Sequence, residues 1–367
     1  MNNVEEGLLE ELRETMDAER FQAAYDRAFH SSKYLVLYGS GAVGTKVFFY
    51  CYNAGIKVDF FCESPGGKHI GQDVCGVKCI SFEELLAIRG DVSVIITNGD
   101  ALNTYRCLCS NGFINIHCIN HVHTQIFNYI KSVRFPDIEE KIKQLRSILF
   151  DDLSFAIVMD ILIGTFKFDF SVERISRLYS PNQYFPKDII YLTDNEYFLD
   201  AGAFDGDTIK TFAKLVGGWR AIYAFEPSEN NCNALRSNTT LLSNVNVYQM
   251  GLSEFHGKIQ YFENHSATSI DLNKGEKTAE VVRLDDILRD KPITFIKMDI
   301  EGAEVSALKG AEHIIRTQKP KCAISVYHHP EHIFEVPFLL KKYVSEYKLF
   351  FRHHTQLLSE TMCYAIL

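Results

Sequence analysis

Two glycine-bearing runs in this sequence could bring a backbone close to a ligand, and they differ in charge. The run LDAGAFDGDT (199–208) holds Gly202 and Gly206 among three carboxylates, Asp200, Asp205 and Asp207. Carboxylates so placed repel a pyrophosphate and suit a cationic ligand without phosphate. S-adenosylmethionine, with its ammonium, sulfonium and ribose, has that chemistry. Glu226 stands about 20 residues on, at the end of the apolar run AIYAFEP, where an ionised carboxylate can accept both ribose hydroxyls. The other run, Gly39-Ser40-Gly41-Ala42-Val43-Gly44, is a full GxGxxG without an acid and is followed by Lys46. Its amides and the start of the helix after it suit a pyrophosphate, with Asp59 or Glu63 placed to hold a ribose. The plainer alternative for either run is a glycine turn that packs a helix against a strand.

A second group of residues could do chemistry on an acceptor. Asp299 and Glu301 follow the apolar run ITFIKM, at what should be the carboxyl end of a buried strand. Methyl transfer needs a nucleophile aligned opposite the sulfonium and, for a hydroxyl, a group to take its proton. Asp299 is the first candidate for that base or orienting group, and Glu301 the second. The alternative is that both cap the helix AEVSALKGA, with Glu304 an acid of its first turn. Tyr327, His328 and His329 close the run KCAISV, and His332 and Glu335 follow. Histidine titrates near neutrality, which makes His328 a candidate base. These histidines with Asp299 could also ligate a metal, but the reading adopted assigns none.

The elements that must position these residues alternate between strand and helix. Residues 1–31 read as an amphipathic helical segment. Over 32–125, KYLVLYGSG, KVDFFCE, GVKCISFEELL, DVSVIITNG and INIHCI give strands separated by helices, a small Rossmann-like domain. Residues 126–190 have helical periodicity ending at Pro181 and Pro186, a helical connector. Residues 191–367 form a second α/β domain. There KIQYFEN and AEVVRLDDIL make a strand pair or excursion, and KLFFRHH with TMCYAIL makes a terminal antiparallel hairpin. The fold class is therefore α/β, with two Rossmann-like three-layer domains and an antiparallel edge on the second.

Bulk properties narrow the partners. The chain has 367 residues, 46% hydrophobic and 23% charged, with a formal net charge of -9. A protein built to grip phosphate backbones is normally basic, so nucleic acid is not expected as a partner. No signal-like start and no apolar run of about 18 residues stands in the sequence, so no membrane span is expected. The ten cysteines lack zinc spacing and read as free thiols of a cytoplasmic protein. Homo-oligomerisation through the helical segments is a further expectation.

LDAGAFDGDT (199–208), FEP (225–227) and IKMDIEGAEVSALKGA (296–311) together resemble the FkbM family of methyltransferases. The downstream runs AISVYHHPEHIFEVPFLL and FFRHHTQ…CYAIL are similar to one branch of it, and the resemblance covers roughly residues 180–367. Many members carry asparagine where Phe204 and Asp205 stand. The resemblance implies a class I methyltransferase sheet, with S-adenosylmethionine contacts at Asp200, Gly202, Ala203, Phe204, Asp205, Gly206, Asp207, Thr208, Glu226 and Pro227. It also implies that Leu252 and Ser253 lie near the adenine. It further implies methylation of an oxygen on a sugar or related small-molecule or glycan acceptor. Residues 32–125 resemble, more loosely, small Rossmann-like domains attached to sugar-modifying enzymes, which implies a nucleotide or nucleotide-sugar at Gly39, Ser40, Gly41 and Gly44. The competing readings are an oxidoreductase or sugar-modifying enzyme working from that first domain, and a non-catalytic donor-binding protein.

Overall fold

The computed structural model describes residues 3–119, 123–264, 267–270 and 277–367. The chain divides into two compact units, one of residues 1–140, 156–179 and 355–359, the other of residues 141–155, 180–354 and 360–367. The helical stretch 126–190 is thus shared between them.

In the first unit, helices Asn3–Thr15 and Ala18–His30 precede the sheet, and Asp17 caps the second by accepting the amides of Glu19 and Arg20. The strands are β1 (Tyr34–Tyr38), β2 (Phe60–Cys62), β3 (Asp73–Val74), β4 (Val77–Ile80), β5 (Val92–Ile96) and β6 (Ile116–His117), in the order β3-β4-β2-β1-β5-β6. All pairings are parallel except the β3–β4 edge. YLVLY and VSVII are nearly continuous apolar runs because the central strands β1 and β5 are covered on both faces. Helix Ala42–Asn53 follows β1 through the glycine loop. A Cβ on Gly44 would fall 1.9 Å from the Gly39 carbonyl oxygen, so only glycine lets this helix sit so close to its strand.

In the second unit the main sheet is built from β7 (Tyr197–Ala201), β8 (Ala221–Phe225), β9 (Val245–Tyr248), β14 (Phe295–Met298), β15 (Lys321–Ser325), β16 (Lys348–His353) and β17 (Thr361–Ile366). Their order is β16-β17-β15-β14-β7-β8-β9. The expected terminal hairpin forms, and β17 inserts between β15 and β16, antiparallel to both. The excursion after β9 makes a separate four-stranded sheet, β10-β13-β11-β12, from β10 (Gly251–Leu252), β11 (Gly257–Asn264), β12 (Ala267–Ile270) and β13 (Lys277–Val282). Phe185, Phe198, Phe212 and Phe295 fill the core beside the central strands, with Phe198 stacked on Phe212 at 4.5 Å and on Phe295 at 5.3 Å. Two Rossmann-like α/β units, the second with an antiparallel edge, are what the sequence leads one to expect. Among the described residues no helix is long and apolar enough to cross a membrane, and all ten cysteines are free thiols.

The histidines of the hairpin are structural. His353 and His354 are buried. His354 Nδ1 lies 2.6 Å from the Ser180 carbonyl oxygen, which can only accept, so Nδ1 carries the proton. Nε2 then accepts from the Tyr364 hydroxyl at 2.8 Å. Burial, with Arg352 nearby, pushes the His354 imidazole down to about 4. Between the ordinary histidine range and that value the unfolded chain holds the extra proton. Its stabilising contribution is therefore present above about pH 6.5 and lost as pH falls toward 4, by roughly 3 kcal/mol at most. Trp219, the single tryptophan, packs against this unit's core and reports its unfolding. Urea unfolding followed by Trp219 fluorescence should show that loss between pH 6.5 and 4. The slope should shrink in His354→Gln.

Candidate active site

The loop 200–208 leaves β7 under tight steric control. Gly202 has φ +76°, and a Cβ there would fall 1.9 Å from the Asp299 carbonyl oxygen at the end of β14. Gly206, at φ +87°, lies against Leu235 and Thr239. Phe204 holds a positive φ of 46°, and its amide donates to Glu226 Oε2 at 3.0 Å. Glu226 Oε1 accepts the Ser228 amide at 2.9 Å, so the carboxylate at the end of β8 is locked beside the loop. Burial raises its pKa although these amides oppose the shift. Asp207 and Thr208 open helix Asp207–Val216, with Asp207 exposed and Thr208 buried. Asp205 Oδ1 accepts the Asp207 amide. A Cβ on Gly251 would be 3.9 Å from Pro227 Cβ, so β10 begins next to the Glu226 segment. Leu252 and Ser253 follow it, both buried, with Ser253 Oγ 3.2 Å from Ser306 Oγ.

The carboxylate of Asp200 is fully buried and turns beneath the loop rather than outward. It lies 2.9 Å from Lys297 Nζ, on the neighbouring strand β14. Lys297 is also buried, donates to the Gly202 carbonyl at 2.8 Å, and sits 5.1 Å from the centre of the Tyr184 ring. Burial alone would lower its pKa, but Asp200 and then Asp299 outweigh it and keep the ammonium protonated.

Asp299, Glu301 and His328 come together at the ends of β14 and β15. Asp299 accepts the Tyr184 hydroxyl at 2.6 Å and the Tyr327 hydroxyl at 3.0 Å. Both tyrosines are pushed well above their ordinary range, by burial first and by the Asp299 charge, so they stay neutral donors. His328 Nδ1 pairs with Glu304 Oε1 at 2.8 Å, while its Nε2 is 3.5 Å from Asp299 Oδ1 and 3.7 Å from Glu301 Oε2. Burial disfavours its charge, but Glu304, Asp299 and Glu301 prevail and push it up to about 9. Glu360, which accepts from Gln183, lies near the group, and burial with the Asp299 charge pushes it up to about 7.

Asp299 and Glu301 do not cap the following helix. Helix Glu304–Gly310 has Ala303 as its N-cap and no side-chain cap bond. It is Glu304, completely buried, that accepts the amides of Ile300 and Gly302 and holds the turn in which Glu301 has φ 55°. Glu304 Oε2 also lies 3.2 Å from His332 Nδ1. His329 covers Gly302, where a Cβ would fall 2.5 Å from its Nε2. Lys297, Glu304, Tyr184 and Glu360 were not foreseen as site residues. A lysine inside an otherwise apolar strand was the one visible signal; Tyr184, far away in sequence, carried none.

In the first unit, Gly39, Ser40 and Gly41 line a cleft of about 530 Å³ together with Glu63, Gly66, Thr97 and other residues. Gly44 lies behind it as a packing glycine. Glu63 accepts from Ser40 Oγ and from the His69 amide at 2.9 Å, so it stands at the cleft but is already engaged. Asp59 is not there: its Oδ2 accepts the Leu35 amide at 3.0 Å.

Removing Lys297 should strip Asp200 of its compensating charge in the core, where burial already raises the carboxyl's pKa. Lys297→Met is expected to lower the stability of this unit by about 3–5 kcal/mol in urea unfolding followed by Trp219 fluorescence. Adding Asp200→Asn should recover at least about 1 kcal/mol of it. Additive losses would show that the two groups do not form a coupled pair.

The geometry can be set beside known proteins. Residues 200–360 match the family described as the methyltransferase FkbM domain. No curated protein matches the chain. Among solved structures, the methyltransferase FkbM from Methylobacillus flagellatus KT is similar over 98% of this chain and 98% of its own, with 20% identity and a TM-score of 0.72; it shares the fold along the whole length. Fibrillarin from Aeropyrum pernix, in complex with natively bound S-adenosyl-L-methionine, matches 49% of this chain and 71% of its own at 13% identity and a TM-score of 0.33. An rRNA methylase from Streptococcus thermophilus matches 47% of this chain and 87% of its own at 16% identity and a TM-score of 0.31. The glycine–acid loop and the strand-end acids both lie within residues 200–360, the stretch that matches the methyltransferase FkbM domain, and the match supports a methyltransferase.

Proposed function

We propose that the chain transfers a methyl group from S-adenosylmethionine to a hydroxyl of a sugar or related metabolite. The observation that carries this reading is the contact between Gly202 and the Asp299 carbonyl, which puts the donor loop and the acid group at one edge of the sheet. The donor lies along 202–208, with its ribose at Glu226, its adenine toward Leu252 and Ser253, and its cationic end facing the acids. Asp200 supports the loop from below through Lys297. The acceptor hydroxyl sits at Asp299, which orients it and takes its proton, flanked by Glu301 and His328. The oxygen attacks the methyl carbon in line as the carbon–sulfur bond breaks, and sulfur keeps the electron pair. Tyr184, Tyr327, Gln183 and Glu360 around Asp299 are polar groups suited to a polyhydroxyl acceptor.

A separate reading concerns the first unit, where the acid-free glycine loop and its cleft support binding of a nucleotide or nucleotide-sugar pyrophosphate. Gly41 has ordinary φ and open space around its Cβ position, so a side chain there leaves the fold intact.

Calorimetry with S-adenosylmethionine should show one site; no binding at millimolar ligand would sink the leading proposal. Asp299→Asn should bind the donor as the parent does and lower kcat by about 10²–10⁴-fold. Full turnover would remove Asp299 as base. Incubation of the full chain with sugar nucleotides and labelled donor, read by product mass, tests the acceptor class. Gly41→Asp should abolish binding of a nucleotide-sugar while donor binding is unchanged. Equal nucleotide-sugar affinity in the variant would exclude the loop as its site.

A further inference from the structure

We propose that the acid centre of the second unit binds one divalent transition-metal ion between Asp299 and His328 Nε2, with Glu301 beside the histidine and Glu304 orienting it from behind. The inference rests on the methyltransferase reading of the same site and adds to it a ligand that the sequence reading left out.

Glu304 Oε1 lies 2.8 Å from His328 Nδ1, and a carboxylate paired this way places the ring proton on Nδ1. Nε2 faces Asp299 and Glu301, and an incoming ion takes the place of the proton it carries in the charged ring. The ring is nine-tenths buried, and Nε2 has no hydrogen-bond partner. Its separations of 3.5 Å from Asp299 Oδ1 and 3.7 Å from Glu301 Oε2 are long for hydrogen bonds. They suit atoms that share an ion: ligands about 2.1 Å from a common metal stand roughly 3–3.5 Å apart, and farther where the angle between them is wide. Asp299, Glu304 and His328 each offer a ligand atom within 4.8 Å of the others. Of these, Glu304 directs its Oε1 to two backbone amides and to Nδ1, on the side of the ring away from Nε2, which makes it the outer partner of a carboxylate–histidine–metal arrangement. Among the described residues Asp299 Oδ1 accepts a hydrogen bond only from Tyr327, so it keeps a lone pair for an ion. Three carboxylates, Asp299, Glu301 and Glu304, lie around the His328 ring in a largely buried space, a setting that a divalent cation suits.

One imidazole and two carboxylates favour Mn²⁺, Fe²⁺, Co²⁺ or Zn²⁺ over Mg²⁺. An acceptor hydroxyl bound to such an ion has a lowered pKa. Its proton passes to Asp299 as the oxygen–carbon bond forms and the carbon–sulfur bond breaks, and sulfur retains the electron pair.

The test is Mn²⁺ titration of the full chain after chelator treatment, read by the loss of the free-ion paramagnetic resonance signal. One Mn²⁺ per chain is expected, with affinity lowered at least about tenfold in His328→Gln and by about 10–100-fold in Glu304→Gln. Calorimetric S-adenosylmethionine binding reports whether each variant is folded. In the unmodified chain, spin-echo modulation from a coordinated imidazole nitrogen gives a readout that needs no variant. Absence of Mn²⁺ binding, absence of that nitrogen coupling, or undiminished binding in a folded His328→Gln would overturn the proposal. Donor binding without Mn²⁺ binding would remove the ion alone, whereas absence of donor binding would remove the methyltransferase reading of the site.

Discussion

A buried ammonium, Lys297 on β14, is the group on which the active unit depends. It compensates Asp200 across the β7–β14 pairing, is itself buried, and donates to the carbonyl of Gly202, where the chain leaves the sheet. Its charge also lies against the Tyr184 ring, and Tyr184 donates to Asp299. One cation therefore links the underside of the proposed donor loop to the side chain proposed to receive the acceptor. A buried pair of this kind contributes little net stability compared with apolar packing, while the loss of either partner is costly. Its value lies in register: β7 and β14 must end level for the pair to form.

The second constraint is steric and joins the same two strands from above. Gly202 and the Asp299 carbonyl approach so closely that no side chain fits between them. The turn after Asp299 is in its own right held open by Glu304, which gathers two amides and two histidines. The acids of this centre are thus spent differently. Asp200 and Glu304 are internal braces, Glu226 locks the loop it faces, and Asp299 and Glu301 are the ones proposed to meet the acceptor. The first unit shows the opposite design, a glycine loop without acids beside a cleft in which Glu63 is tied to Ser40 and His69. That contrast separates the site proposed for a cationic donor from the site proposed for an anion on two sheets of the same general kind.

Much of this was legible in the sequence, because it depends on local pattern. YLVLY, VSVII and FIKM are apolar runs that only buried strands need, and Gly39, Gly44, Gly202 and Gly206 stand where strands turn into helices. The charge difference between the two loops is a matter of composition over a few residues, so their ligand classes could be argued without coordinates. The pairing of KLFFRH with TMCYAI also followed from pattern, since alternating apolar strands close to the terminus have few other partners.

What the sequence could not determine is which polar groups spend their charge inward. Asp200 and Asp207 look alike in LDAGAFDGDT, yet one is completely buried on Lys297 and the other is exposed at a helix start. Glu304 reads as a first-turn helix acid, but its turn folds back over it and brings His328 and His332 onto the same carboxylate. Tyr184 lies 115 residues from Asp299 in the chain and meets it only because its segment, at a positive φ, returns to the strand ends. The strand order that places β14 between β7 and β15 decides all three. Residue spacing dictates periodicity along one strand, whereas the neighbours across a sheet are set by the pairing of distant segments, and that pairing is a property of the folded chain alone.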